Sequence, residues 1–139
     1  MLRNILIYSS ALVTLLFCSS CQKDLSKNWG GTYTGIAGSN TVQRVIVTIL
    51  DKKTVKMELQ AYIAGNYYTY VTLSKVKLTN EKTAVIDEEG TITTVPPNNT
   101  IYKFSGAASL SGNTLTINGS ATDKNNSSSV TNYTFTGSK

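Results

Sequence analysis

The sequence predicts an all-β domain: eight antiparallel strands in a meander, closed into an up-and-down barrel. Three observations carry this. Turn-forming clusters recur about every ten residues from position 29 onward, with β-branched and aromatic runs between them. No stretch between two runs could form a crossover helix, so neighbours in sequence pair antiparallel. Asn, Thr and Ser are abundant while Glu and Ala are modest, which favours strands and turns over helices. An open eight-strand meander would leave two unpaired edges, and closing the sheet removes both. A two-sheet sandwich is the alternative.

The first run, "NWGGTYTGIAG", places Trp29, Gly31, Tyr33 and Gly35 on one face, and "GSNT" turns the chain. In "VQRVIVTIL" the apolar face is Val45, Val47 and Ile49, and "DKK" turns again. "VKMELQAYI" alternates cleanly, with Val55, Met57, Leu59, Ala61 and Ile63 against Lys56, Glu58, Gln60 and Tyr62. Gly65-Asn66 suits a two-residue type II′ hairpin. The fourth run starts with Tyr67, Val71 and Leu73 on one face and ends with Val76 and Leu78 on the other, which predicts a bulge near Ser74-Lys75. "TNEK" turns, and "TAVIDEEGTITTV" is expected to break at "DEEG". "PPNN" must be a loop, because tandem prolines cannot sit in a paired central strand. "TIYKFSGAASL", then "TLTINGSAT" with Leu115, Ile117, Gly119 and Ala121 on one face, and finally "VTNYTFTGS" with Tyr133 and Phe135 aligned complete the eight.

Before the barrel comes a different kind of sequence. Arg3 precedes an apolar-rich run from Ile5 to Phe17, shorter than the roughly 20 residues a spanning helix needs. Basic residue, short apolar run and small residues together read as an export signal. Cys18 follows the bulky Phe17, whereas Cys21 follows Ser19 and Ser20, which suit a processing site. A CxxC is also the pattern of a redox pair or half a zinc site. With no His and only two Cys in the chain, neither has the partners it requires. The expected organisation is a signal peptide over residues 1–20, a polar tether from Cys21 to residue 28, and one barrel domain over 29–139.

Thirteen basic residues against eight acidic ones give a net charge of +5. The lysines (Lys52, Lys53, Lys56, Lys75, Lys77, Lys82, Lys103, Lys124) are scattered along the chain rather than gathered with aromatics, so no nucleic-acid partner is expected. Catalytic groups are few, and Asp87-Glu88-Glu89 before Gly90 lacks the spaced ligands of a calcium loop. No enzyme activity, metal or other cofactor is expected.

The segment "CSSC" resembles the lipobox of bacterial lipoproteins, in the looser form found in Bacteroidetes, and "QKDL" after it resembles a tag for the cell surface. "WGGTYTG" resembles the opening motif of the calycin superfamily, and the chain is similar to the small calycin-like barrel lipoproteins of Bacteroidetes. The resemblance implies that the motif's aromatic closes one barrel end while the other stays open. It also implies a bacterial cell-envelope location through a lipid anchor on Cys21, in the outer membrane and exposed at the surface. Two departures stand out: Tyr33 takes the place where lipocalins carry Trp, and the closing Arg near the last strand has no counterpart.

The expected function is therefore a membrane-anchored, non-enzymatic barrel that binds a small apolar ligand or an envelope protein. Inward residues Tyr33, Met57 and Leu59 and the tyrosine group Tyr62, Tyr68 and Tyr70 are the candidate binding residues, since tyrosine joins an apolar ring to a polar tip. Small inward residues (Gly31, Gly35, Ala61, Ala108, Ala121) would leave room for the ligand. An inhibitor- or immunity-type interaction protein with a filled barrel is the alternative.

Overall fold

The apolar sides of the period-two runs all face one way, and that way is the inside of a closed barrel. A computed structural model of the chain describes residues 23–35, 42–94 and 99–139. The strands are β1 (Gly31–Gly35), β2 (Arg44–Asp51), β3 (Thr54–Ile63), β4 (Asn66–Leu78), β5 (Thr83–Thr91), β6 (Ile101–Ser111), β7 (Thr114–Asp123) and β8 (Asn126–Ser138). Each pairs antiparallel with the next, and β8 returns to β1 through Thr34–Ser138 and Gly35–Gly137. The export signal, Cys21, the "GSNT" turn and the prolines lie outside the described residues.

Inside, Val45, Val55, Met57, Leu59, Leu73, Val76, Ile86, Leu115 and Ile117 are almost wholly buried. Each such side chain stabilises the fold by roughly 1.5–3 kcal/mol relative to exposure. Outward positions on the same strands are polar, among them Lys56, Glu58, Lys77, Asp87 and Asn118. Apolar inside and polar outside is the inverse of a barrel that spans a bilayer.

Several local expectations change. Ile49 and Ile63 fall beyond the ends of the packed interior and are about half exposed. The β3–β4 turn is centred on Ala64 (φ 49) and Gly65 (φ 88), with Ile63 opposite Asn66. Two positive φ values match a type I′ turn rather than the II′ turn expected one residue later. The Ser74-Lys75 bulge is present, and a second irregularity puts Tyr70 between the Leu59–Val71 and Gln60–Thr69 pairs. That extra residue reverses parity above it, so Tyr67 pairs with Tyr62 and does not share a face with Val71.

The largest correction is at "DEEG", where β5 runs unbroken and pairs with β6 residue by residue from Thr83–Ser109 to Thr91–Ile101. Each acidic side chain there finds a partner distant in sequence. Asp87 pairs with Lys103, and Lys124 donates to Glu89 at 2.8 Å. These lysines, hydrogen-bonding and attracting them, hold both carboxyls below their ordinary pKa. Glu88 accepts the backbone N–H groups of Ser74 (2.7 Å) and Lys75 (3.2 Å). That carboxylate stands in across the gap between the Val71–Ile92 bridge and the Lys77–Val85 and Leu78–Ala84 pairs, where β4 and β5 lack backbone pairing.

The barrel's two ends differ. One end carries the β2–β3, β4–β5 and β6–β7 turns and is plugged by Trp29, fully buried with its indole N–H donating to the Glu81 carbonyl at 3.0 Å. Tyr33, also fully buried, donates its hydroxyl to the Trp29 carbonyl at 2.7 Å. A cation after the last strand seals this end: Lys139 donates to the carbonyls of Asn28 and Gly30 at 2.8 and 2.9 Å and lies 5.1 Å from the Tyr33 ring centre. Residues 23–28, expected as a loose tether, are folded onto the same end. Leu25 N–H bonds the Lys52 carbonyl, Ser26 is buried on Asp24, and Lys23 pairs with Glu81 at 3.0 Å.

Candidate functional site

At the other end, the mouth, the interior is not filled. A cavity of about 150 Å³ lies between Leu59, Tyr70, Val71, Phe104, Ala121 and Tyr133, with Val42 and Ile92 beside them and Thr131 and Asn132 at its rim. Seven strands or their flanks contribute one to three residues each, so the site exists only once the barrel has closed.

Tyr133 is its chemical centre. It pairs with Gly119 across β7 and β8, and a Cβ at 119 would overlap the Tyr133 phenol ring. Glycine lets the ring lie over the neighbouring backbone and turn into the barrel. Phe104 meets it edge-on, with ring centres 6.2 Å apart at 67°. The Tyr133 hydroxyl is buried and has no hydrogen-bond partner among the described residues. An unmatched buried donor of this kind costs about 1–3 kcal/mol. Burial, with the nearby Glu88 and Tyr70 adding, pushes the Tyr133 pKa up to about 12. Burial alone pushes Tyr70 to about 12. Both hydroxyls are thus neutral donors at any ordinary pH. Among the described residues the lining contains no Lys or Arg.

Tyr70 also borders a second depression of about 310 Å³, formed with Ala61, Ile63, Tyr68, Thr69 and Thr93 on the inner face of the β3–β4 hairpin. The hairpin is braced from outside. The Arg44 guanidinium carbon lies 3.6 Å from the Tyr67 ring centre, and its Nε donates to Gln60 Oε1 at 2.6 Å. Gln60 in turn donates to Thr69 Oγ1 at 2.8 Å, and the Tyr62 and Tyr67 rings lie 4.9 Å apart.

The candidate residues from the sequence therefore separate. Leu59 and Tyr70 line the cavity, and Tyr68 lines the second depression. Tyr33 and Met57 are fully buried, Tyr33 in the plug of the closed end. Tyr62 stands on the outside against Tyr67. Cys21 lies outside the described residues. Small residues leave room only toward the mouth, at Ala61 and Ala121, because the Phe135 ring fills the space beside Gly35. Tyr133 was missed, although its alignment with Phe135 on β8 was visible. What could not be read was the glycine opposite it. Among the described residues no group of three or more His, Cys, Asp or Glu side chains is placed to hold a metal. Compared with known proteins, the chain matches no family model, no curated protein and no solved structure.

Proposed function

We propose that this chain is a lipid-anchored, non-enzymatic binding protein of the bacterial envelope, calycin-like in its barrel, whose mouth takes a small, largely apolar molecule. The observation that carries the ligand is the buried Tyr133 hydroxyl, unpartnered among the described residues, in a cavity walled by Leu59, Val71, Phe104 and Ala121 and edged by the polar groups of Tyr70, Thr131 and Asn132. A ligand acceptor placed against it would relieve the cost of the bare donor. The acceptor is neutral, a carbonyl or ether oxygen, because a carboxylate there would meet Glu88 nearby and no cation in the lining. About 150 Å³ suits a group of benzene size, as in an engineered cavity of that volume. A longer apolar part would extend past Tyr70 onto the hairpin's inner face. Anchoring through Cys21 rests on the sequence that precedes the barrel.

The test is titration with matched pairs of short ketones and hydrocarbons. Ketones should bind more tightly, by about fivefold or more for a gained hydrogen bond near 1 kcal/mol, and Tyr133→Phe should erase that difference. Ala121→Leu should block both. Equal affinity of the pair for the wild type would remove the role of Tyr133, and no binding at all would end the ligand reading. A second reading is favoured by one observation: Tyr62, Ile63 and Tyr68 are each about half exposed at a hairpin that projects beside the mouth. Such a tip suits a protein partner, and loss of partner capture in Tyr68→Ala, with ketone binding retained, would select it.

A further inference from the structure

We propose that the closed end is a membrane-facing surface that rests on anionic lipid headgroups, so that the mouth is directed away from the bilayer. The inference depends on the proposed Cys21 anchor for its attachment point and goes beyond it in fixing orientation.

The lysines that look scattered in sequence converge here. Lys27, Lys82 and Lys139 border one cleft of about 400 Å³ at the closed end. Lys52 receives the Leu25 N–H on its carbonyl, Lys53 receives that of Leu78, and Lys23 sits on Glu81. Against these six lysines the same segments carry three acidic residues, Asp24, Asp51 and Glu81. On the barrel wall, by contrast, Lys56, Lys103 and Lys124 are each paired with a carboxylate. The positive excess of the described residues therefore lies mostly at one end.

The chain's path points the same way. Lys23 to Ser26 are held on the closed end by the bonds described above, and Cys21 is two positions before Lys23. Two residues span at most about 7 Å. An acyl chain on Cys21 would hold the basic end within that distance of the headgroup layer, where each lysine gains about 1 kcal/mol from an anionic surface. Strands of about ten residues, tilted as barrels require, put the mouth roughly 25 Å farther out.

Full-length protein is expressed in a host that processes lipoproteins, purified with its anchor, and placed in phosphatidylcholine vesicles with or without phosphatidylglycerol. A fluorophore is attached at Asn113→Cys, in the closed-end turn, or at Asn125→Cys, in the mouth turn, with energy acceptors in the headgroup layer. Strong transfer from position 113 and weak transfer from 125 is the expected result. Equal transfer, or stronger transfer from 125, overturns the orientation. The triple change K27E/K52E/K82E should weaken transfer from 113 only in phosphatidylglycerol vesicles, while K103E/K124E toward the mouth should not. Circular dichroism confirms that both variants keep the barrel. Intact mass reads the anchor separately. If Cys21 proves unacylated, the anchor fails, and co-sedimentation with the two vesicle types still judges the surface. There the triple variant should lose at least about fivefold in binding per lysine reversed, and no preference for phosphatidylglycerol overturns the proposal.

Discussion

Tyr33 and Tyr133 occupy opposite ends of the same barrel interior, and they differ in one bond. Tyr33 has its hydroxyl on the Trp29 carbonyl, in an end plugged by an indole and sealed by an ammonium. Tyr133 has its hydroxyl buried with no acceptor among the described residues, beside open volume. Beneath its surface cleft, the closed end thus fills the barrel interior with Trp29 and Tyr33 and gives both their polar groups a partner. At the mouth both remain unfinished, and that shortfall is where a ligand has something to supply.

Removing the plug gives the largest effect. Trp29→Ala should cost about 3–5 kcal/mol by denaturant unfolding, against about 1 kcal/mol for half-buried Ile92→Ala at the mouth. Comparable losses would mean that the two ends are equally packed. Next is Gly119→Ala, which forces the Tyr133 ring off the β7 backbone and should cost about 1–3 kcal/mol. It should also abolish ligand binding. Retained binding would show that the ring's seat over Gly119 is not what shapes the cavity.

The two tyrosines themselves should respond with opposite signs. Tyr33→Phe strands the Trp29 carbonyl and should lose about 1–2 kcal/mol, whereas Tyr133→Phe removes an unmet donor and should be neutral or gain up to about 1 kcal/mol. Alkaline pH extends the test. Tyr70 and Tyr133 have folded pKa values of about 12 against an unfolded value near 10, so the unfolded chain loses its protons first. Their contribution is fully present below about pH 10 and is lost as pH rises toward 12. Tyr133→Phe should flatten that decline, and an unchanged profile would detach it from Tyr133. The smallest effect is at the hairpin beside the mouth. Ala64 holds a positive φ that glycine adopts freely, so Ala64→Gly should stabilise by about 1 kcal/mol without altering binding.

How much of this was legible follows from how local each feature is. The eight strands and their inward faces depend on alternation along one strand, and Val55 to Ala61 reads the same in sequence and structure. The bulge at Ser74-Lys75 was also legible, because the apolar face changes sides within one run. Tyr70's irregularity was not, since the polar tyrosines and threonines above it carry no clear face to reverse. "DEEG" misled because its residues are poor strand formers alone. The groups that hold it there, Lys103, Lys124 and the amides of Ser74 and Lys75, lie at least thirteen positions away. The cavity was hidden for a similar reason. Its central ring is admitted by a glycine on the neighbouring strand, and only the register brings Tyr133 to Gly119.

Glu88 also bears on how this cylinder moves. Between the Val71–Ile92 bridge and the Lys77–Val85 pair, the β4–β5 boundary is fastened by one carboxylate on a rotatable stem. A side chain can swing away without disturbing the strand that carries it, so this slit can breathe while the remaining ladders stay shut. The amides of Ser74 and Lys75 should therefore exchange with solvent deuterium sooner than those midway along β7. The barrel should unzip from the side before either end gives way.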